Sequence, residues 1–161
     1  MSVAANVIQL ENTVNSFVAE PRKHLIGGRW VEAASGKTFP VYNPATEEVI
    51  AHVAEGDSED IDRAVKAARR AFESGPWPNL TPAERGKMIW RLGDLISDHL
   101  EELAQLESLD NGKPIVIARA ADVPLAADLF QYMAGWTTKM EGNTITLSVP
   151  YAPGAKFHAY T

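Results

Sequence analysis

Length, composition and charge set the first limits on this chain. It has 161 residues, of which 15 are Lys or Arg and 21 are Asp or Glu, so its formal net charge is −6, and it contains no cysteine. The acidic balance argues against nucleic-acid binding or a basic membrane-surface protein. The lack of thiols excludes disulfides, thiolate metal sites and a cysteine nucleophile within these residues. No apolar run is long enough to predict a transmembrane helix.

The N-terminal third predicts a tail followed by short strands. Residues 1–20 are weakly patterned, which predicts a tail or a loose helix, and they contain no Lys or Arg. Without a basic targeting signal, we expect a cytoplasmic protein. Gly27-Gly28, between two short apolar runs, is typical of a tight hairpin. Runs at 38–42 and 49–53 predict two more strands, separated by Asn43-Pro44.

The middle of the chain predicts helices whose ends are marked by capping residues. Ser58 is the predicted N-cap of the first helix, which ends at Gly75. Thr81 and Glu84 have the spacing of a capping box and start the second helix. A third helix ends at Asn111-Gly112. The apolar faces predicted for the first two helices are Ile61, Ala64, Val65, Ala68 and Phe72, and then Met88, Ile89, Leu92, Leu95 and Ile96.

Prolines and a change of period organise the remainder. Pro114 predicts the start of a short fourth helix. Because a proline inside a helix removes a hydrogen bond, Pro124 predicts a fresh helix capped by Asp122. Alternation at 144–149 predicts a half-exposed strand, and 157–161 a returning strand. The predicted fold class is α+β, with an N-terminal hairpin and short strands, then four to five helices, then a protruding β-hairpin.

No local motif for catalysis or cofactor binding is present in the sequence. The Gly36-Lys37-Thr38 run lacks the earlier glycine that a phosphate-binding loop needs, and no glycine-rich dinucleotide fingerprint occurs. None of the four histidines is paired at metal-ligand spacing. From the residues alone, the sequence predicts a soluble α+β protein with no catalytic and no cofactor-binding residue.

Several short motifs follow one another along the chain in a distinctive order. They are IGGRWV at 26–31, SGKTF at 35–39, NPAT at 43–46, VAEGD at 53–57, AVKAAR at 64–69, ESLDNGKP at 107–114 and YMAGW at 132–136. In this order they closely resemble the N-terminal part of the NAD(P)-dependent aldehyde dehydrogenase superfamily. The resemblance covers about residues 20 to 161.

The resemblance implies a fragment of an α/β enzyme. Residues 21–140 would be the N-terminal part of the cofactor-binding domain without its Rossmann core, and residues 141–161 an oligomerisation arm. Family enzymes oxidise an aldehyde through a cysteine thiohemiacetal, pass hydride to NAD or NADP, and use a glutamate base to hydrolyse the thioester. The cysteine, the glutamate and the cofactor loop would lie beyond these residues, so the chain alone is expected to be inactive and to hold no cofactor.

Four residues match family positions with a role. Asp110 resembles a carboxylate that binds a structural monovalent cation, and backbone carbonyls near Tyr42 share that site. Ala121 and Leu125 match a helix that lines the substrate tunnel, where the small Ala121 leaves room for a bulky aldehyde. Two plainer interpretations stay open: Asp110 only turns a helix end, and the other pair belongs to an ordinary core face.

Residues 143–160 resemble the arm through which family subunits pair with a neighbour. The implied partners are further copies or full-length subunits, and neither nucleic acid nor a membrane is expected. Ordinary pairing within one chain is the plainer interpretation of the same residues. Three hypotheses follow for the whole chain: the N-terminal part of an aldehyde dehydrogenase, a non-catalytic assembly fragment that docks through its arm, or an inert truncated product.

Overall fold

The computed structural model describes residues 10–147, 154–155 and 157–161. The described residues run through a short helix, two hairpins, a helical middle and a third hairpin, which confirms the predicted α+β class. The elements are α1 (Asn12–Ala19), β1 (His24–Ile26), β2 (Arg29–Val31), β3 (Thr38–Tyr42), β4 (Val49–Ala54), α2 (Ser58–Ser74), α3 (Pro82–Asp98), α4 (Leu100–Asn111), α5 (Ile115–Ile117), α6 (Val123–Trp136), β5 (Thr144–Leu147) and β6 (Phe157–Tyr160). A 3₁₀ turn spans Trp77–Asn79, and a π-helical turn spans Ala118–Asp122.

The N-terminal elements form the two predicted hairpins. β1 and β2 pair antiparallel, and Gly27 and Gly28 join them. Their φ angles are 61° and 76°, values that residues other than glycine rarely adopt. β3 pairs antiparallel with β4, with an irregularity of the register between Val41 and Tyr42. The predicted loose helix is α1, whose Val14 is fully buried. Residues 1–9 of the predicted tail lie outside the described residues.

Asp57, rather than the predicted Ser58, caps α2. The Asp57 carboxylate accepts a hydrogen bond from the backbone N–H of Glu59 at 2.9 Å, and the Asp60 carboxylate accepts one from the backbone N–H of Asp57 at 3.4 Å. Ser58 is already the first helical residue, and a cap must precede the helix. Asp60 is buried and also accepts from the N–H of Ala34 at 3.1 Å. The start of α2 is thereby tied to the loop that follows β2.

The capping box of α3 is confirmed. The Thr81 hydroxyl accepts from the backbone N–H of Glu84 at 3.3 Å, and the Glu84 carboxylate accepts from the backbone N–H of Thr81 at 2.7 Å. These reciprocal bonds satisfy two donors that the first turn of a helix leaves unpaired.

The buried face predicted for α3 is confirmed in part: Ile89 and Ile96 are half-buried, and Ile96 packs against the core, but Met88, Leu92 and Leu95 are exposed. The buried residues of α3 are Gly86 and Gly93, whereas Met88 and Leu92 are 57% and 43% exposed. A Cβ added at Gly93 would lie 2.8 Å from the carbonyl oxygen of Ala127, so the backbones of α3 and α6 approach closely here. Where two helix backbones approach closely, glycine fits and leucine does not. The spacing of large apolar residues therefore does not predict this contact.

α4 ends where the sequence predicts, at Gly112, whose φ is 75°. The Asn111 side chain then accepts a hydrogen bond from the backbone N–H of Lys113 at 2.8 Å, and Pro114 immediately precedes α5. Buried Ala104 of α4 packs with Ala118, the first residue of the π-helical turn, and with Val123, which follows the turn.

The predicted helix break at Asp122 is wrong. The π-helical turn leads directly into α6, and the N–H of Val123 donates to the carbonyl oxygen of Ala118, five residues earlier. Asp122 has helical backbone angles and makes no capping hydrogen bond with its side chain. Pro124 has no N–H and would collide with a preceding carbonyl in a regular helix. The wider turn accommodates this proline, so the helix continues.

The C-terminal hairpin is separate from the other sheets. β5 and β6 pair antiparallel as a two-stranded sheet, from Thr144 opposite Tyr160 to Leu147 opposite Phe157. The predicted returning strand is therefore present. Residues 148 and 149 of the predicted first strand lie outside the described residues.

Large apolar side chains are exposed on several helices. The predicted apolar stripe of α2 is on the surface, with Phe72 73% exposed and Ile61 62% exposed. The chain has an accessible surface of 12150 Å², whereas a folded monomer of this size exposes about 7,900 Å². In the described part of the chain, no helix is both long and apolar enough to span a bilayer.

Candidate functional site

Asp110, the predicted cation-binding carboxylate, lies in the last turn of α4. It lines a cleft of about 350 Å³ between α1, the β3–β4 hairpin and α4, together with Glu107 and Val41. Both carboxylates stand at the negative end of the helix dipole, and no basic residue of the last turn of α4 offsets them. Lys113, beyond the helix, reaches Glu107 at 3.6 Å. Arg22 also lines this cleft, so a cationic side chain already shares it with Asp110 and Glu107.

Tyr42, the second predicted cation ligand, ends β3 at the irregularity in the hairpin. Such an irregularity takes backbone groups out of regular pairing, which leaves carbonyl oxygens available to other partners. The end of α4 is close to the loop that follows β3, because a Cβ added at Gly112 would lie 2.9 Å from Cγ of Pro44. The Tyr42 side chain is 54% exposed, and its neighbour Val41 is the β3 residue that lines the cleft.

The chemistry of this donor set suits a cation of low charge. Among the described residues, no group of three or more His, Cys, Asp or Glu side chains is placed to hold a metal ion. One carboxylate with several backbone carbonyls is a hard oxygen shell that carries little negative charge. The residues present are therefore compatible with a structural monovalent cation held by Asp110 and the carbonyls near Tyr42.

Ala121 and Leu125, the predicted tunnel residues, lie one helical turn apart. Ala121 is half-buried in the π-helical turn, and Leu125 is 64% exposed in the first turn of α6. Leu125 begins an exposed apolar stripe on this helix that continues through Leu129, Met133 and Trp136.

Two ion pairs hold the π-helical turn, and neither is predicted from the sequence. Lys113 Nζ lies 2.6 Å from Asp122 Oδ2. Arg119 makes a two-pronged contact with Glu101, with Nε at 2.6 Å from Oε2 and Nη2 at 2.8 Å from Oε1. Lys113 belongs to the ESLDNGKP motif at 107–114, and this motif is the only sequence signal that pointed to Lys113. The Arg119–Glu101 pair spans eighteen residues without a local pattern.

Glu101 is the centre of a polar network that also reaches α1. Buried Gln105 donates to Glu101 at 2.8 Å and accepts from the backbone N–H of Glu11 at 2.8 Å. The hydrogen bonds from Arg119, and then from Gln105, lower the pKa of Glu101 from its usual 4.5 to about 2. The charged form of Glu101 is therefore the form that the fold stabilises.

Acid is expected to remove the contribution of Glu101 to stability. Since its pKa is lower in the folded state, this contribution is complete above the unfolded pKa of about 4.5 and disappears as the pH falls towards 2. The difference between the wild-type chain and E101Q in the hydrogen-exchange protection of the α4 amides, which needs no single unfolding transition, should thus shrink over this range. E73Q, which alters an exposed pair on α2, is the matched control. A difference that stays constant from pH 6 to pH 2 would contradict the assignment.

The predicted arm has the geometry of an edge that can accept another strand. In the described residues, β5 and β6 hydrogen-bond only to each other as strands, so each has an outer edge without a strand beside it. Ile145 and Leu147 are exposed on β5, and Tyr160 is exposed on β6. Isolated hairpins are marginally stable in water, and unpaired edges bind other strands readily.

Comparison with known proteins decides the family. A model described as the aldehyde dehydrogenase family matches residues 30–158. The chain belongs to the aldehyde dehydrogenase family. It is 57% identical over 121 residues to aldehyde dehydrogenase family 2 member B4, mitochondrial, from Arabidopsis thaliana, a match that covers 75% of this chain and 22% of that relative. It is 51% identical over 129 residues to benzaldehyde dehydrogenase, mitochondrial, from Antirrhinum majus, covering 80% and 24%.

A solved aldehyde dehydrogenase has the same fold over the matched part. The chain superposes on the NAD⁺ complex structure of aldehyde dehydrogenase from Bacillus cereus with a TM-score of 0.84 and 55% identity, covering 88% of this chain and 29% of that one. The chain thus spans about a quarter of the length of the aldehyde dehydrogenases that it matches.

Proposed function

We propose that this chain is the N-terminal part of an aldehyde dehydrogenase subunit that oxidises an aldehyde to a carboxylic acid with NAD or NADP. The family match over residues 30–158, confined to about a quarter of each relative, supports this proposal most directly. The Bacillus cereus relative is an NAD⁺ complex, which favours NAD. The role proposed for residues 21–140 is to support the cofactor-binding domain.

The chemistry of the reaction is assigned to the rest of such a subunit. The chain has no cysteine, so the thiolate that forms a thiohemiacetal must come from other residues. The cofactor loop and the glutamate base are likewise assigned outside the chain. In this proposal the chain contributes positioning and support and has no catalytic or cofactor-binding residue of its own.

Asp110 and the carbonyls near Tyr42 are proposed to hold a structural monovalent cation. Two features support this: Asp110 stands at the negative end of the α4 dipole, and the irregular end of β3 lies at the same cleft, which Arg22 also lines. A cation there would offset the unfavourable placement of two carboxylates in the last turn of a helix. Its contribution would be to stability rather than to the reaction.

Ala121 and Leu125 are proposed to line the passage for the aldehyde side chain. The exposure of Leu125 supports this, since its side chain is free to contact a ligand or another segment. The short side chain of Ala121 leaves space one turn away, which suits a bulky aliphatic or aromatic aldehyde.

A second proposal is that the chain assembles with other subunits through residues 143–160. The described residues of β5 and β6 pair with each other within one chain, and each strand keeps an outer edge to which a strand of another subunit could add. A homo-oligomer or a complex with full-length subunits would cover these edges. The cytoplasmic location predicted from the sequence stays a prediction, because the two plant relatives are mitochondrial by name.

The test compares the chain alone with a hybrid subunit. In the hybrid subunit, this chain replaces the matching 29% of the Bacillus cereus aldehyde dehydrogenase. We expect aldehyde-dependent NADH formation from the purified hybrid subunit and none from the chain alone, because only the former contains a cysteine nucleophile. Turnover by the chain alone would contradict the non-catalytic role. A folded hybrid subunit without activity would contradict the proposed function.

A further inference from the structure

The π-helical turn lacks the backbone support that a regular helix would have. Pro124 cannot donate a hydrogen bond, so the carbonyl oxygen of Ala120, its regular partner four residues earlier, is left without that bond. The N–H of Val123 bonds to Ala118 across the wider turn. Because the regular backbone hydrogen bonds are interrupted here, side-chain contacts must help to fix the rotation of α6 relative to the preceding turn.

The rotation of α6 decides which side chains it exposes. Ala118 and Val123 are both buried, five residues apart, and Ala127 follows four residues later. A regular helix places residues four or three apart on one face, so the five-residue step needs the π-helical turn. The same step determines where Ala121 and Leu125 point.

Lys113 is held rigidly beside this turn. Its backbone N–H donates to the Asn111 side chain at 2.8 Å, and its carbonyl oxygen accepts from the hydroxyl of buried Ser108 at 2.7 Å. From this fixed position its ammonium group contacts Asp122 at 2.6 Å, directly after Ala121. The hydrogen bond to Asp122 raises the pKa of Lys113, so its ammonium group stays charged at neutral pH.

We propose that Lys113 is a positioning residue that, through Asp122, fixes the π-helical turn and thereby selects for aldehydes with bulky side chains. This inference rests on the proposed function. Asp122 is the residue that Lys113 contacts. Ala121 and Leu125, which flank Asp122 along the chain, are the residues proposed to line the passage for the aldehyde. The Asn-Gly-Lys-Pro segment thus has a role in addition to ending α4.

The Arg119–Glu101 pair supports the assignment by contrast. It joins the same turn to α4, so we expect its loss to act mainly on the contact between these two segments. Lys113 instead contacts the residue nearest Ala121, at the point where the helix changes its hydrogen-bonding pattern. A change at Lys113 should therefore affect the contact with the aldehyde more than the stability of the helix pair.

The test measures kcat and KM of the hybrid subunit for benzaldehyde and for acetaldehyde. For K113M and D122N, we expect the ratio of kcat/KM for benzaldehyde to that for acetaldehyde to fall about fivefold to tenfold, mainly through the KM of benzaldehyde. K113R should restore most of the ratio, and the double variant K113M/D122N should lose no more than either single variant. The KM of NAD should not change.

K66M is the matched control, because it removes an ion pair of the same 2.6 Å length on exposed α2. If the hybrid subunit is active and the ratio of kcat/KM for benzaldehyde to that for acetaldehyde is unchanged in D122N and K113M, the inference is overturned and the proposed function is not. If K113M fails to fold, D122N decides. An inactive wild-type hybrid subunit would overturn the proposed function, and this inference with it.

Discussion

Replacing Gly93 by valine is expected to separate α3 from α6 and to lower the free energy of opening of both helices by about 2 to 3 kcal/mol. A Cβ at this position would lie 2.8 Å from the carbonyl oxygen of Ala127 and 2.8 Å from Cγ of Gln131. The carbonyl belongs to the backbone of α6 and cannot rotate away, so the helices must move apart. Native-state hydrogen exchange on the amides of α3 and α6 measures this change without requiring a single unfolding transition.

Gly135→Ala is the control for the Gly93 variant. Gly135 also lies inside a helix, but the nearest atom to its added Cβ is the flexible Nζ of Lys139 at 3.4 Å. This substitution should stabilise α6 by about 0.5 to 1 kcal/mol, because alanine favours helix over glycine. Equal and small effects at both positions would show that the two helices do not approach closely at Gly93.

Replacing Phe72 by lysine is expected to have opposite effects in the chain alone and in the hybrid subunit. Phe72 is 73% exposed on the apolar stripe of α2, so the chain alone should associate, bind the dye ANS and stay poorly soluble or partly disordered. F72K should reduce dye binding and raise solubility. In the hybrid subunit the stripe would be covered, and the loss of one buried phenylalanine should cost about 3 kcal/mol or more.

Ser74→Lys is the matched control for Phe72→Lys. It adds the same charge on a different side of α2, at an exposed position, and should change neither assembly nor dye binding strongly. The measurements are ANS fluorescence and sedimentation for the chain alone, and the thermal midpoint for the hybrid subunit. If F72K destabilised the chain alone as much as the hybrid subunit, the stripe of α2 would already be packed within the chain.

Local signals in the sequence predicted the boundaries of most elements. The glycine pair of the first hairpin, the Thr81–Glu84 capping box and the end of α4 at Gly112 were all confirmed. Each depends on backbone conformation or on hydrogen bonds within a few residues, so the local sequence contains the information. The cap of α2 was misplaced by one residue, because Asp57 and Ser58 are both good caps and only the fold selects between them.

The candidate site was predicted less completely. The motifs placed Asp110, Tyr42, Ala121 and Leu125 by resemblance, and the structure brings the ends of α4 and β3 to one cleft. The clamp of Lys113 on Asp122 and the Arg119–Glu101 pair were missed. Side chains that meet across a turn or between two helices leave no regular spacing to detect.

The family, the α+β class, the ends of most helices and the lack of a thiol nucleophile can be predicted from the residues, because these depend on residue identity and on short-range geometry. Which helix faces are buried depends on tertiary contacts. Periodicity shows that α2 and α3 carry apolar stripes, but burial depends on what lies opposite. In this chain α6 lies against the glycines of α3, and the larger apolar side chains of both helices remain on the surface.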